Sequence, residues 1–310
     1  MTRAESGDAH STMKILLLGK DGQIGWELQR ALAPLGEVIA LDRHTAAGGL
    51  SGDISRLDAL RTTLRLVMPD VIVNAAAFTQ VDSAETQRHE ATLINTLAVG
   101  VMAQEAERQG ALLVHYSTDY VFNGTNNRPW TETDVAEPLN HYGMSKLGGE
   151  QAIQLSGCRH LILRTSWVYS ARRSNFAKTI LRLAAERDSL NVINDQVGAP
   201  TGAALLADVA AQLIPAVHRD GAVGGLYHVC NAGETSWYEY AKFLIDRAQH
   251  HGARLKAHSL NGVASTEYPS ITVRPLNSRM STHKLTSEFS LYLPHWQLSV
   301  ENTLRELLGQ

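Results

Sequence analysis

Cysteine is nearly absent from this chain: Cys158 and Cys230 are the only two in 310 residues. Their spacing suits no metal site, so two reduced, small core residues in a cytoplasmic protein are expected. An excess of charge of either sign is also missing. Lys and Arg total 28 and Asp and Glu 31, a net charge of −3, which gives no electrostatic case for nucleic acid or an anionic membrane as partner. No apolar run is long enough to span a bilayer. Residues Met1–Thr12 are polar, lack the apolar core of a signal peptide and read as a flexible extension ahead of Met13. No internal repeat or low-complexity segment is present. What remains, with 44% hydrophobic and 19% charged residues, is a soluble globular chain long enough for one large domain or two smaller ones.

Short aliphatic runs alternate with amphipathic stretches over the first half. Lys14–Leu18, Val38–Leu41, Val71–Asn74, Leu112–Tyr116 and Leu161–Arg164 suit buried strands. Between them, Ile24–Leu35, Asp58–Val67 and the long Ala91–Gln109 suit helices, and Asn140 is placed to cap another. Such alternation implies an α/β fold of Rossmann type, a doubly wound parallel sheet, over residues 13–166. Beyond Ser166 the pattern is less regular. Helices fit Phe176–Arg187, Ala203–His218 and Trp237–Ala248, and short strands fit Asn191–Ile193 and Leu226–Val229. Residues 167–310 are therefore expected to form mainly a smaller α/β domain that closes a cleft over the carboxyl ends of the strands, with later helices returning to the first domain.

The first strand runs into Gly19-Lys20-Asp21-Gly22-Gln23-Ile24-Gly25. Glycines at this position permit a tight turn and let backbone N–H groups approach a pyrophosphate. The spacing Gly-x-x-Gly-x-x-Gly is one residue off the dinucleotide fingerprint, so the context carries the weight. Asp42 ends the second strand, where an acid reaches the adenosine ribose of NAD. Arg43 beside it and Lys20 in the turn could instead hold the 2′-phosphate of NADP, and both cofactors stay open. Asp53 and Ile54, after the expected third strand, could meet the adenine. Asn74-Ala75-Ala76-Ala77 ends a strand in small side chains that leave room for a cofactor backbone.

Tyr142 and Lys146 are four residues apart and share one helix face. A phenol has a pKa of about 10, and an ammonium a few ångströms away can lower a pKa by roughly 1–3 units. The pair is therefore expected to make Tyr142 an acid–base group. Just before it, Ser117-Thr118-Asp119-Tyr120 ends a strand. The Thr118 hydroxyl there can polarise a carbonyl oxygen, since developing alkoxide charge needs such donors. Hydroxyl, phenol and ammonium in this order, beside a dinucleotide, predict hydride transfer at a carbonyl.

The glycine turn, Asn74–Ala77, Ser117–Phe122 and the Tyr142/Lys146 pair resemble the extended short-chain dehydrogenase/reductases. More narrowly, the chain from Met13 onward resembles the dTDP-4-dehydrorhamnose reductase family. The segments that carry this are Phe78-Thr79-Gln80-Val81-Asp82, Arg164-Thr165-Ser166-Trp167-Val168-Tyr169, Asn175-Phe176-Ala177-Lys178-Thr179, Asp195–Thr201 and Arg274-Pro275-Leu276-Asn277-Ser278-Arg279. The resemblance implies that NADPH or NADH delivers hydride to C4 of a keto sugar carried on thymidine diphosphate. Tyr142 would protonate the nascent alkoxide, Lys146 would bind the nicotinamide ribose, and Thr118 would hold the carbonyl oxygen. The cofactor would lie along Gly19, Gly22, Gln23, Ile24, Gly25, Asp42, Arg43, Asp53, Ile54, Ala75, Ala76, Ala77 and Thr79. Thr118, Asp119, Trp167, Asn175 and Arg274 would meet the substrate, with Gln196 and Pro200-Thr201 shaping a loop under the sugar. A homodimer is implied as well. Some relatives hold Mg2+ with glutamates at the dimer interface, but one of those positions is Ala204 here, with Glu27 and Glu306 remaining. Losing a carboxylate weakens an oxygen-ligand site, so metal dependence is not expected. The same scaffold and Tyr/Lys pair also serve nucleotide-sugar epimerases and non-catalytic NADP-binding subunits.

Overall fold

The computed structural model describes residues 12–44, 46–219, 223–268 and 270–310. Residues 1–11 of the expected extension lie outside the described part. Six strands form one parallel sheet: β1 (Met13–Leu18), β2 (Gly36–Leu41), β3 (Val71–Asn74), β4 (Leu112–Thr118), β5 (His160–Thr165) and β6 (Gly225–His228). Their order is β6-β5-β4-β3-β1-β2, and every neighbouring pair is parallel. The principal helices are α1 (Gln23–Leu32), α2 (Leu57–Val67), α3 (Ala98–Gln109), α4 (His141–Ser156), α5 (Phe176–Glu186), α6 (Ala203–Arg219), α7 (Trp237–His250), α8 (His283–Phe289) and α9 (Trp296–Leu308).

Side chains of a strand alternate between faces, and the aliphatic runs are buried on both. Leu16, Leu18, Ile72, Leu113 and Ile162 pack on one face against Leu60, Leu64, Met102 and Ile153 of α2, α3 and α4. Ile15, Leu17, Val73, Val114 and Leu163 pack on the other against Leu28 and Leu32 of α1, Leu206 and Leu213 of α6, and Leu285 of α8. A third apolar cluster joins α5, α7 and α9 through Ile180, Tyr240, Leu244, Trp296 and Val300. The chain reverses its direction along the sheet between β1 and β3, and in open parallel sheets the ligand crevice lies at such a switch point.

Three sequence expectations are revised. Among the described residues no third strand joins the sheet beside β2; Ala46–Ala47 and Leu50–Ser51 pair with each other in a separate antiparallel ladder. The helix expected over Ala91–Gln109 is broken: Arg88–Thr92 is helical, Leu93–Leu97 widens into a π turn, and α3 follows. The buried Asn95 amide in that turn bonds the Phe78 N–H and C=O and the Ser145 hydroxyl, which draws the turn onto α4. Contact there is close enough that a Cβ on Gly149 would lie 2.3 Å from the Asn95 carbonyl oxygen. Finally, the strand expected near Leu226–Val229 is β6, the sixth strand of the main sheet. The chain after Ser166 thus returns to the sheet with α6, β6 and α8.

Candidate active site

A cleft of about 860 Å³ runs over the carboxyl ends of β1–β5. At one end, Gly19 and Lys20 donate their N–H groups to the Leu41 carbonyl, which seats the glycine turn beside β2. Gly19 has a φ of +87°, and a Cβ on it would lie 2.7 Å from the Ala76 nitrogen. A Cβ on Gly25 would meet the Gly19 carbonyl oxygen at 2.0 Å, so only glycine lets α1 start this close to the turn. Among the described residues no side chain caps the N-terminus of α1. Uncapped N–H groups above a turn without Cβ atoms form a cradle that fits a pyrophosphate.

Asp42 is tied down at the end of β2. Its Oδ2 lies 2.6 Å from Lys20 Nζ, and its Oδ1 accepts from the His44 N–H at 2.6 Å. The Asp42 carboxylate, with Asp21, raises the Lys20 ammonium above its ordinary range. Arg43 is largely exposed and 3.7 Å from Glu90. Asp53 Oδ1 accepts from the Ser55 N–H and hydroxyl.

The chemical groups sit at the centre. Thr118 is the last residue of β4, and its Oγ1 accepts from the Tyr120 N–H at 3.1 Å. Asn140 caps α4: its Oδ1 accepts from the Gly143 N–H at 2.9 Å, and its Nδ2 donates to the Val273 carbonyl. This cap places Tyr142 in the first turn, on the cleft that Thr118 also lines, and the Thr118 hydroxyl donates to Asp119 Oδ1 at 3.1 Å. Lys146 follows one turn later, 2% exposed, with Nζ 2.6 Å from the Tyr116 carbonyl and 3.2 Å from His115 Nε2.

The expected electrostatics are corrected here. Burial pushes the Tyr142 phenol up from its ordinary value, and the Thr118 hydroxyl opposes this only in part. The Lys146 ammonium does not offset it, because Nζ is turned to the strand carbonyl and His115. Lys146 is itself pushed down to about 8 by burial, against the raising influence of Glu150. Beside Thr118, burial pushes Asp119 up to about 6, against the hydroxyls of Ser278 and Thr118.

The cleft gathers Gly19, Gly22, Gln23, Ile24, Asp42, Arg43, Asp53, Ile54, Ala75, Ala76, Ala77, Thr79, Thr118, Asp119, Tyr142, Lys146, Trp167 and Asn175. Gly25 does not line it and instead serves the approach of α1 to the turn. Arg274 does not line it either; its guanidinium is 2.9 Å from Asp82 and reaches the Tyr120 hydroxyl. The Asn175 side chain is committed within the protein. Its Oδ1 caps α5 at the Lys178 N–H, and its Nδ2 donates to Gln23 Oε1 and the Ser170 carbonyl. Trp167, at a φ of +50°, stacks on Trp237 with ring centroids 3.5 Å apart. Trp237, Tyr240 and Arg173 line the cleft without having been singled out in the sequence. The first two lie three residues apart on α7, a spacing that reads equally as a core stripe.

Both cysteines are buried and free. No helix among the described residues is long and apolar enough to cross a membrane. No group of three His, Cys, Asp or Glu side chains among them could hold a metal ion. Glu27 lies 3.9 Å from Arg30, which pairs with Asp208; burial raises Glu27, and Glu306 adds to this.

Known proteins match this chain over nearly its full length. The family profile described as RmlD substrate binding domain matches residues 13–308. The dTDP-4-dehydrorhamnose reductase of Escherichia coli K12 is 51% identical over 295 residues, covering 95% of this chain and 98% of that one. The crystal structure of dTDP-4-dehydrorhamnose reductase from Bacillus anthracis in complex with NADP superposes with a TM-score of 0.84 at 31% identity, covering 96% of this chain and all (100%) of that one. The Clostridium acetobutylicum orthologue gives a TM-score of 0.85, also at 31% identity, with the same coverage of 96% and 100%. A matching sheet, a matching profile and this degree of identity over nearly the full length lead to one conclusion: the chain belongs to the dTDP-4-dehydrorhamnose reductase family.

Proposed function

We propose that this protein reduces the C4 keto group of dTDP-4-dehydro-L-rhamnose to give dTDP-L-rhamnose. The observation that carries the reading is that Thr118, Tyr142 and Lys146 line one cleft with the glycine cradle. The reduced nicotinamide, when bound, supplies the hydride. Gly19, Gly22, Gln23 and Ile24 would hold its pyrophosphate, Asp42 and Arg43 its adenosine ribose, and Ala75–Ala77 and Thr79 would flank it. Thr118 and Tyr142 donate hydrogen bonds to the substrate carbonyl oxygen and so stabilise the charge that develops there. Tyr142 then gives its proton to O4. The raised phenol suits this direction, because it stays protonated at neutral pH until an alkoxide forms beside it. Trp167 and Asp119 flank the sugar.

Asp42 has one oxygen on Lys20 and the other on a backbone N–H, and its charge is opposed by Lys20 with Arg43 alongside. This supports a ribose site that accepts both NADPH and NADH, with kcat/KM values within about tenfold of each other, a difference of roughly 1.4 kcal/mol. The third apolar cluster supports residues 167–310 as the main source of the substrate lobe, and two free buried cysteines fit a reducing cytoplasm. A homodimer is carried over from the family and is measured by sedimentation.

The test is NAD(P)H oxidation by the purified protein with enzymatically prepared keto sugar. No oxidation with either cofactor overturns the reading. Tyr142→Phe is expected to lower kcat by at least about 100-fold while cofactor affinity changes little. A wild-type rate in that variant removes Tyr142 as proton donor.

A further inference from the structure

His115 lies within β4, 1% exposed, beside Lys146, and the reaction proposed above gives it no part. Its hydrogen bonds have a fixed polarity. The Ala76 N–H donates to Asn74 Oδ1 at 3.1 Å, which sets the orientation of the amide. Asn74 Nδ2, a donor only, is then 3.1 Å from His115 Nδ1. Nδ1 must therefore accept, and the single hydrogen of the neutral imidazole sits on Nε2. Nε2 points at Lys146 Nζ, 3.2 Å away. A neutral amine accepts that hydrogen, whereas an ammonium meets it donor to donor. Turning the Asn74 amide over does not help, because Nδ2 would then face the Ala76 N–H. Protonating the ring as well would only add a second donor clash. Burial, together with the Lys146 charge, holds His115 well below its ordinary value.

We propose that Asn74 and His115 are positioning residues that make Lys146 release its proton readily, so that Lys146 refills the phenol of Tyr142 in each turnover. This rests on Tyr142 being the proton donor of the proposed reduction. The protons balance. The O–H bond of Tyr142 breaks as the sugar O4–H bond forms. An N–H bond of Lys146 breaks as the phenolic O–H re-forms, the proton crossing through water in the cleft that both residues line. The amine left behind accepts from His115 Nε2–H, keeps donating to the Tyr116 carbonyl, and takes its next proton from solvent. The other titratable groups around this step have their own places. Glu150, on the same helix, acts on Lys146 but is bound at both oxygens by Arg164 of β5 and at one by the Ser117 hydroxyl. Asp119 and Tyr120 act on the Tyr142 phenol.

Nitrogen-15 NMR of histidine-labelled protein reads the tautomer directly and needs no turnover. The His115 ring is expected to carry its hydrogen on Nε2 on the alkaline side of the Lys146 titration. A hydrogen on Nδ1 there overturns the proposal. The second reading is the pH dependence of kcat, whose alkaline limb reports loss of the Lys146 proton. His115→Phe removes the donor. Asn74→Asp keeps the imidazole but draws its hydrogen to Nδ1. Both are expected to move that limb upward by roughly half a pH unit to one, with lower kcat and KM values within about twofold. Lowered stability with an unmoved limb means that His115 only packs, and overturns the proposal. Absence of any keto-sugar reduction by the wild-type protein would instead overturn the proposed function, while the tautomer still decides the state of His115.

Discussion

Asp119 is a buried carboxyl whose charge changes with pH close to neutrality. Its folded value of about 6 lies above the ordinary 3.8 because burial penalises the carboxylate. Below the unfolded value both states hold the proton and folding loses nothing. As pH rises from there through about 6, the unfolded chain ionises first and stability falls. The loss amounts to at most about 3 kcal/mol once the pH is above both values. Asp119→Asn should therefore stabilise the protein by more at pH 8 than at pH 4, read from urea unfolding at the two values. An equal gain at both would mean that burial does not raise the Asp119 carboxyl above its unfolded value. The residues of this centre were legible in sequence as types at fixed spacing: a strand-end hydroxyl, a phenol, and a lysine four residues on. Their electrostatics were not. Helical spacing puts Lys146 on the same face as Tyr142, but the direction of Nζ was decided by the Tyr116 carbonyl and His115, on a strand that only the fold brings beneath it.

At the scale of elements, α4 depends on one side chain for its start. Asn140 caps the helix and also holds the Val273 carbonyl of a distant loop. Asn140→Ala should cost about 1 kcal/mol of stability and lower kcat as well, because the capped turn carries Tyr142. Thermal unfolding and steady-state rates check the two effects separately, and a loss of stability without loss of rate would show that the cap does not set the phenol. This cap was foreseen from the sequence because Asn before a helical stretch is a local signal. The break in the helix before α3 was not, since Leu93–Leu97 has ordinary helical composition. The π turn arises from Asn95 bridging to Phe78 and Ser145, contacts made across 17 and 50 residues of chain.

Over the whole molecule, the glycine turn and the later half of the chain are joined through Gln23. Its Oε1 accepts from Ser170 and Asn175, and Arg173 Nε donates to the Asp21 carbonyl. Loosening this junction should disturb the cofactor cradle first. Asn175→Ala is expected to weaken NAD(P)H binding by several-fold, about 1 kcal/mol for a lost hydrogen bond, with less effect on the KM of the nucleotide sugar. Fluorescence titration of the cofactor and steady-state kinetics separate the two. A selective rise in the sugar KM would return Asn175 to the substrate role that its sequence segment implied. The sequence by itself determined the parallel sheet, since aliphatic runs buried on both faces can pair only in this way between helices. It also determined the glycine turn, where side-chain volume alone decides which residue fits. Tertiary structure decided the rest: that β6 completes the main sheet, that Trp167 and Trp237 stack, that Arg274 is held by Asp82 and Tyr120, and that His115 meets Lys146. Each of these joins residues far apart in the chain. Local composition cannot specify such a contact, because it depends on where every intervening element packs.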